Sequence, residues 1–375
     1  MREIGVNEGL MSRQSTVGIC LSGAIRTFHE PCAGPRQVTH VMQPLDADVH
    51  ASIAVDQHDP HRSNVRNMLD LTLVGKIVRR TLRGVRLRNL EIYPALNGSA
   101  QLAKMRYHSG AERSCSRRDL HGYAQAVGWQ RCAEWMLPLE YTWIIRLRTD
   151  TMPHFRIVSL PTAAHVDRLY GTRGTAIVPF VSICECGNID RSAGKYVQIQ
   201  GRSRFRLSNP PKMPTPCSSK SLCGSGSDTF AMLAGAHAQS AYLRGYADDF
   251  CRWDPHACSV CNSNRLIPED RVGYALASRG VPMRDLRFVS QYGYGVFVRP
   301  RGQSAAGAIV CSRKEFAQVE EHTWNMTASS VLAIPSGSWS ESRRLQACLP
   351  PPARPAGWER LCLDGPQYHP SVYIQ

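Results

Sequence analysis

The sequence predicts an α/β fold with a mostly parallel central sheet. Three observations lead there. Short β-branched apolar runs recur through residues 16–290, and they alternate with segments of helical periodicity. Two of the runs end in turns that carry small residues or arginine, the kind of strand end at which an open α/β sheet binds its ligand.

The elements follow in order. "TVGICLSGAIRTF" (16–28) predicts a buried strand over Val17 to Leu21, running into a turn at Ser22-Gly23-Ala24. "DADVHASIAV" (46–55) alternates with period two and is rich in β-branched residues, so it predicts a second strand. "LEIYP" (90–94) is a third. "RDLHGYAQAVGWQRCAEWMLPLE" (118–140) predicts an amphipathic helix with Leu120, Tyr123, Ala124, Val127 and Trp135 on one face. Cys132 lies at the edge of that face, and Trp129 points the other way. Gly128 weakens the middle of the helix and Pro138 ends it. "YTWIIRLRTD" (141–150) then predicts a buried strand whose tip carries Arg146, Arg148 and Asp150.

The second half is less regular. "GTAIVPF" (174–180) predicts a strand. Residues 181–227, rich in Gly, Ser, Pro, Cys and Lys, predict a long irregular loop. "SDTFAMLAGAHAQSAYLRGYADD" (227–249) predicts a helix with Asp228 as its cap. "PEDRVGYALASRG" (268–280) predicts another, from Pro268 at the first turn to Gly280 at the end. "PMRDLRFV" (282–289) is a closing strand, and the tail around 348–366 is Pro-rich. The organisation expected is a flexible N-terminus over 1–15, one domain over 16–290 with an insert at 181–227, and a partly irregular C-terminal extension over 291–375.

Composition narrows the partners. Forty-five Lys and Arg against 30 Asp and Glu give a net charge of +15, which favours anionic ligands. The densest basic run, "KIVRRTLRGVRLR" (76–88), is either a solvated surface or one basic face of a helix or strand pair. No basic stripe interleaved with exposed aromatics and no reader motif is present, so nucleic acid is not expected. A basic polyanion binder, with affinity that falls steeply with salt, is a rival reading. No run reaches the roughly 18 apolar residues of a membrane span, and the first residues carry no apolar signal core.

Fourteen cysteines include clusters at Cys184/Cys186, Cys217/Cys223 and Cys251/Cys258/Cys261. Clusters of this kind in loop-like regions suit disulfides in an oxidising lumen. The sequons at Asn97 and Asn325 lean the same way. A Golgi or secretory lumen is therefore favoured, with the signal or anchor expected outside this chain; otherwise the protein is cytoplasmic. A zinc site at Cys251, His256, Cys258 and Cys261, or free thiols, are the other readings of the cysteines.

The two strand tips carry the candidate chemistry. Gly23 lets backbone amides approach an anion. Arg26, Arg146 and Arg148 offer fork-shaped donors that match phosphate oxygens. Asp150 is the one carboxylate of the second tip. It is a candidate ligand for Mn²⁺ or Mg²⁺ on a nucleotide diphosphate, or else a turn former or helix cap.

Taken in order, Ser22, Gly23, Arg26, Thr27 and Phe28, then Arg146, Arg148 and Asp150, resemble a group of glycosyltransferases of the GT-A type. That group carries an Arg-x-Arg-x-Asp strand end in place of the Asp-x-Asp motif of better-known relatives. "GSGSDTFAM" (224–232) and "IPEDRVGYALASRGVPMRDLRF" (267–288) resemble its later segments, and the resemblance spans roughly residues 16–290. It implies a GT-A-like domain that moves a sugar from a nucleotide-sugar donor to a hydroxyl of a glycan or protein acceptor. Ser22, Gly23, Arg26, Arg146 and Arg148 would face the donor, and Asp228 the acceptor side. Asp270 or Glu269 would be the catalytic base, although acids in a first helical turn also answer the helix dipole. This chain departs from the pattern in having one carboxylate at Arg148-Thr149-Asp150, with Thr149 where the group often has Pro. An inactive nucleotide- or glycan-binding relative of the same fold is the remaining alternative.

Overall fold

Fourteen of the chain's segments form strands, in the order β1 (Val17–Ala24), β2 (Asp48–Val55), β3 (Arg86–Pro94), β4 (Trp143–Arg148), β5 (Thr151–Pro153), β6 (Phe155–Ile157), β7 (Thr175–Val178), β8 (Gly194–Ile199), β9 (Arg202–Leu207), β10 (Phe230–Ala234), β11 (Met283–Asp285), β12 (Gly295–Arg299), β13 (Ala308–Val310) and β14 (Trp324–Met326), among the described residues. The computed structural model describes residues 15–55, 70–95, 120–153, 155–178, 194–199, 202–207, 229–248, 272, 275–276, 279–286, 295–299, 308–310 and 323–334.

Seven strands make the central sheet, in the order β11-β7-β10-β4-β1-β2-β3. β1 pairs in parallel with β2 and with β4, β2 in parallel with β3, and β11 in parallel with β7. β10 alone runs against its neighbours β4 and β7. The fold class is therefore mixed α/β on a mostly parallel sheet, as the alternation of strands and helices predicts.

Side-chain alternation along β1 and β4 puts apolar residues on both faces of the sheet. On β1 and β4, Val17, Ile19, Leu21, Trp143, Ile145 and Leu147 enter one apolar cluster. Cys20 and Ile144, from the alternate positions, enter a second cluster with the helix Leu120–Met136. Parallel strands covered on both faces read as continuous apolar runs for this reason.

β2 keeps the alternation expected of it, yet every residue of Asp48–Val55 is buried. Val49, Ala51, Ile53 and Val55 join the first cluster. Asp48, His50 and Ser52 are buried as well, so the polar face of β2 is covered rather than solvated.

Three expectations are corrected. The helix Leu120–Met136 turns Ala126, Trp129, Cys132, Ala133 and Met136 inward, while Val127 and Trp135 pack only partly. Trp129 is thus a core residue, stacked on Tyr242 at 4.7 Å. Apolar residues surround much of this helix, so periodicity alone does not select its buried face. Gly128 has a local reason, because a Cβ there would lie 3.1 Å from Ser22 Cβ.

Second, residues 227–249 are not one helix. Phe230–Ala234 is a fully buried strand, and the helix Ala236–Leu243 starts only after Gly235, whose φ is +83°. Five apolar residues in succession suit either state, and pairing between β4 and β7 decides for strand. Third, the region expected to be an irregular loop contains the antiparallel pair β8 and β9.

Segments beyond residue 290 pair with earlier strands. β12 pairs with β5 and β13, and β14 pairs with β6. Met326, Val331 and Ile334 enter the first cluster. No helix among the described residues is long and apolar enough to cross a membrane.

Candidate functional site

The chain leaves β1 toward β2 and β3 on one side and later places β4 on the other. This reversal puts a topological switch point beyond the C-terminal ends of β1 and β4, the position at which open α/β sheets hold their ligands. β10, running the other way, begins at the same rim, with Phe230 opposite Leu147.

Two tips meet there. The first turns through Ile25–Phe28, closed by Phe28 N–H donating to Ile25 O at 2.9 Å. Arg26 holds a φ of +34°, in the left-handed region. A non-glycine residue there costs about 1–2 kcal/mol, and such strain gathers at functional sites. The second tip is the turn Arg148–Thr151. Gln37 Nε2, fully buried, donates to Arg148 O at 2.7 Å and Thr151 O at 2.8 Å. Thr151 Oγ1 donates to Arg148 O at 2.8 Å. Thr149 Oγ1 donates across to Ala24 O at 2.5 Å and ties the two tips together. At Gly23, with φ +141°, a Cβ would lie 3.0 Å from that same Thr149 oxygen, so glycine is what lets the tips close.

The charged groups are stacked by depth. Asp150 is fully buried. Arg26 Nη1 meets Asp150 Oδ2 at 2.5 Å. Arg148 Nε lies 2.7 Å from Asp150 Oδ1 and Nη2 lies 3.5 Å from Oδ2. The Nε approach is an ion-pair contact without hydrogen-bond alignment. The side chains of Arg26 and Arg148 are 21% and 12% exposed, so they form the rim and the carboxylate lies beneath them. Among these three groups, two positive charges face one negative charge.

Arg146 and Ser22, also expected at the anion, are buried. Arg146 is fully buried; it donates through Nη1 to Thr229 O at 2.8 Å and through Nη2 to Ser22 O at 3.3 Å. Its guanidinium stands 5.2 Å from the centre of the Trp129 ring, a cation–π contact. Arg146 was expected to face the anion; the strand's alternation turns it into the helix-covered face instead. Ser22 is buried against the same helix, near Gly128. Asp228, Glu269 and Asp270 lie outside the described residues. Thr229, next to Asp228 in sequence, is at the rim, where its carbonyl accepts from Arg148 N–H at 3.1 Å.

Sequence reasoning missed Gln37 and Arg36. Both sit in the short helix Gly34–Gln37 and are buried, and Arg36 Nε donates to Pro153 O at 2.8 Å. Gly-Pro before them marks a helix start, but nothing local says that the polar pair points inward.

The described residues fit an anion better than a metal. Both Asp150 oxygens face guanidinium groups, and each unit of like charge at 4 Å costs about 4 kcal/mol at an effective dielectric of about 20. Among the described residues, no group of three or more His, Cys, Asp or Glu side chains is arranged to hold a metal ion. The described residues do not fit a divalent cation at Asp150.

The cysteines show a different pattern from the clusters. Cys20 of β1 and Cys132 of the helix Leu120–Met136 form a disulfide across 112 residues. Cys32 is also disulfide-bonded. The clustered cysteines and the candidate zinc residues lie outside the described residues.

No family model matches the sequence, and no curated protein matches it. Among solved structures, the apo form of mouse xyloside xylosyltransferase 1 is similar over 72% of this chain and 83% of that one, at 10% identity and a TM-score of 0.32. So distant a likeness assigns neither activity nor ligand to this chain.

Proposed function

We propose that the protein is a GT-A-like glycosyltransferase that moves a sugar from a nucleotide-sugar donor to a hydroxyl of a glycan or protein acceptor. One observation carries this reading: Arg26 and Arg148 meet at the tips of β1 and β4, both paired with a buried Asp150. Guanidinium pairs at a switch point suit the diphosphate of a nucleotide. Ser22, Gly23 and Arg146 support the crevice from below.

In the reaction, the acceptor oxygen forms a bond to the anomeric carbon. The bond from that carbon to the donor phosphate oxygen breaks, and its electron pair leaves with the nucleoside diphosphate. The acceptor proton passes to a carboxylate, a role we assign to Asp270 or Glu269, with Asp228 on the acceptor side. Arg26 and Arg148 face the charge that develops on the leaving phosphate. The disulfide bonds at Cys20, Cys32 and Cys132 support an oxidising compartment such as the secretory lumen.

The single carboxylate of the Arg-x-Arg-x-Asp tip favours a second reading, a relative that binds donor without transfer. The two separate on nucleotide release from a panel of UDP-, GDP- and CMP-sugars. A transferase turns over one donor class, and Asp270→Asn or Glu269→Gln lowers turnover by about 100-fold or more while donor still binds. Donor binding without turnover in the unmodified protein identifies the binder. Absence of donor binding removes both readings and leaves salt-dependent polyanion binding to be measured.

A further inference from the structure

Resting on the donor-crevice reading above, we infer that Asp150 is a positioning residue that sets Arg26 and Arg148 to hold the leaving diphosphate without a divalent cation. The geometry of the turn carries this. Asp150 is fully buried, and its backbone turn is fixed by Gln37, Thr149 and Thr151. Its carboxylate lies behind the two arginines, so a cation in the crevice would meet guanidinium groups before it met Asp150. Arg26 keeps a left-handed backbone while its guanidinium reaches Asp150 from 124 residues away in sequence. Thr149 anchors the same turn to β1, so both arginines are held from one carboxylate and one backbone tie.

The chemistry balances without a metal. Cleavage of the anomeric carbon–oxygen bond moves an electron pair onto the phosphate oxygen and adds one negative charge to the leaving group. The guanidinium groups of Arg26 and Arg148, held on Asp150, are positioned to meet it through charge-assisted N–H···O bonds. The acceptor proton goes to the base, and nothing is oxidised or reduced.

The test is calorimetric titration of the whole chain with UDP and GDP, in EDTA and in Mn²⁺. The dissociation constant of the nucleotide that binds is expected to agree within about threefold between the two media. Asp150→Asn is expected to weaken binding about tenfold or more in both media, the loss of roughly one charge-assisted hydrogen bond. Asp150→Glu should recover part of it, and a thermal melt without ligand separates loss of positioning from loss of fold. Arg148→Lys should also weaken binding, because a point charge does not reproduce the fork. Binding seen only with Mn²⁺, or Asp150→Asn removing only a Mn²⁺-dependent gain, overturns the inference and leaves the donor crevice standing. Absence of binding in both media overturns the donor crevice and the inference together.

Discussion

Replacing Cys20 and Cys132 together by alanine is expected to lower the unfolding free energy by about 4–5 kcal/mol. The bond joins β1, a strand of the central sheet, to the helix Leu120–Met136 across 112 residues. Closing a loop of about 100 residues in the unfolded chain is worth about 4.7 kcal/mol in the chain-entropy account, the largest single contribution named for this protein. Both sulfurs are fully buried, so their removal also leaves unfilled space between strand and helix. Denaturant unfolding of the oxidised protein and the double variant measures the difference. A loss below about 1 kcal/mol would mean that this bond does not constrain the unfolded chain.

Acid is expected to remove about 3 kcal/mol of stability through His50. Burial lowers the pKa of His50 from 6.5 to about 4, with nearby Asp48 opposing the shift and Arg88 adding to it. A chain of hydrogen bonds explains why the neutral ring fits. Asn89 Nδ2 donates to His50 Nδ1 at 2.8 Å, His50 Nε2 donates to Tyr141 Oη at 3.0 Å, and Tyr141 Oη donates to Asp48 Oδ2 at 3.1 Å. In this assignment every group has a partner, and a proton added at Nδ1 would face the Asn89 amide hydrogens. The same burial, with the Asp48 charge, raises the pKa of Tyr141, so its hydroxyl stays a donor.

The sign follows from linkage. The unfolded chain binds a proton at His50 below about pH 6.5, and the folded protein resists it until about pH 4. This contribution is therefore fully present above about 6.5 and declines as the pH falls toward 4. At about 1.4 kcal/mol for each pH unit, the loss reaches about 3 kcal/mol. His50→Asn should be less stable at neutral pH, with a flatter dependence between those limits. An unchanged slope in the variant would show that another group governs acid unfolding.

The parts of the fold legible in the sequence were those with a strong local signal. β1 and β4 are short runs dominated by buried apolar residues, and their tips at Arg26 and Asp150 do meet. β10 was hidden because Phe-Ala-Met-Leu-Ala is short, apolar and followed at once by a true helix. Its state is set by strands that lie far away in sequence. The inward turn of Trp129 is not legible locally, because its partners, Tyr242 and Tyr246, come from two later helical segments. Cys20 lies in a strand, outside the cysteine clusters, and only the packing of Leu120–Met136 on β1 brings Cys132 to it.

At the site, the types of residue were legible and their orientation was not. Arg146 and Arg148 look equivalent in sequence, yet one is buried over Trp129 and the other stands at the rim. Gln37 gave no signal, because its work is to bind two carbonyls of a turn more than a hundred residues away.

The central claim is that the arginine rim binds a nucleotide. Thermal stabilisation by UDP, GDP and CMP tests it most directly, with Arg26→Gln/Arg148→Gln measured beside the unmodified protein. One nucleotide should stabilise the unmodified protein, by about 2.7 kcal/mol at about 100 times its dissociation constant, and the double variant should lose most of that gain. If no nucleotide stabilises a well-folded sample, or if the double variant responds as strongly as the unmodified protein, the crevice between β1 and β4 is not a nucleotide site.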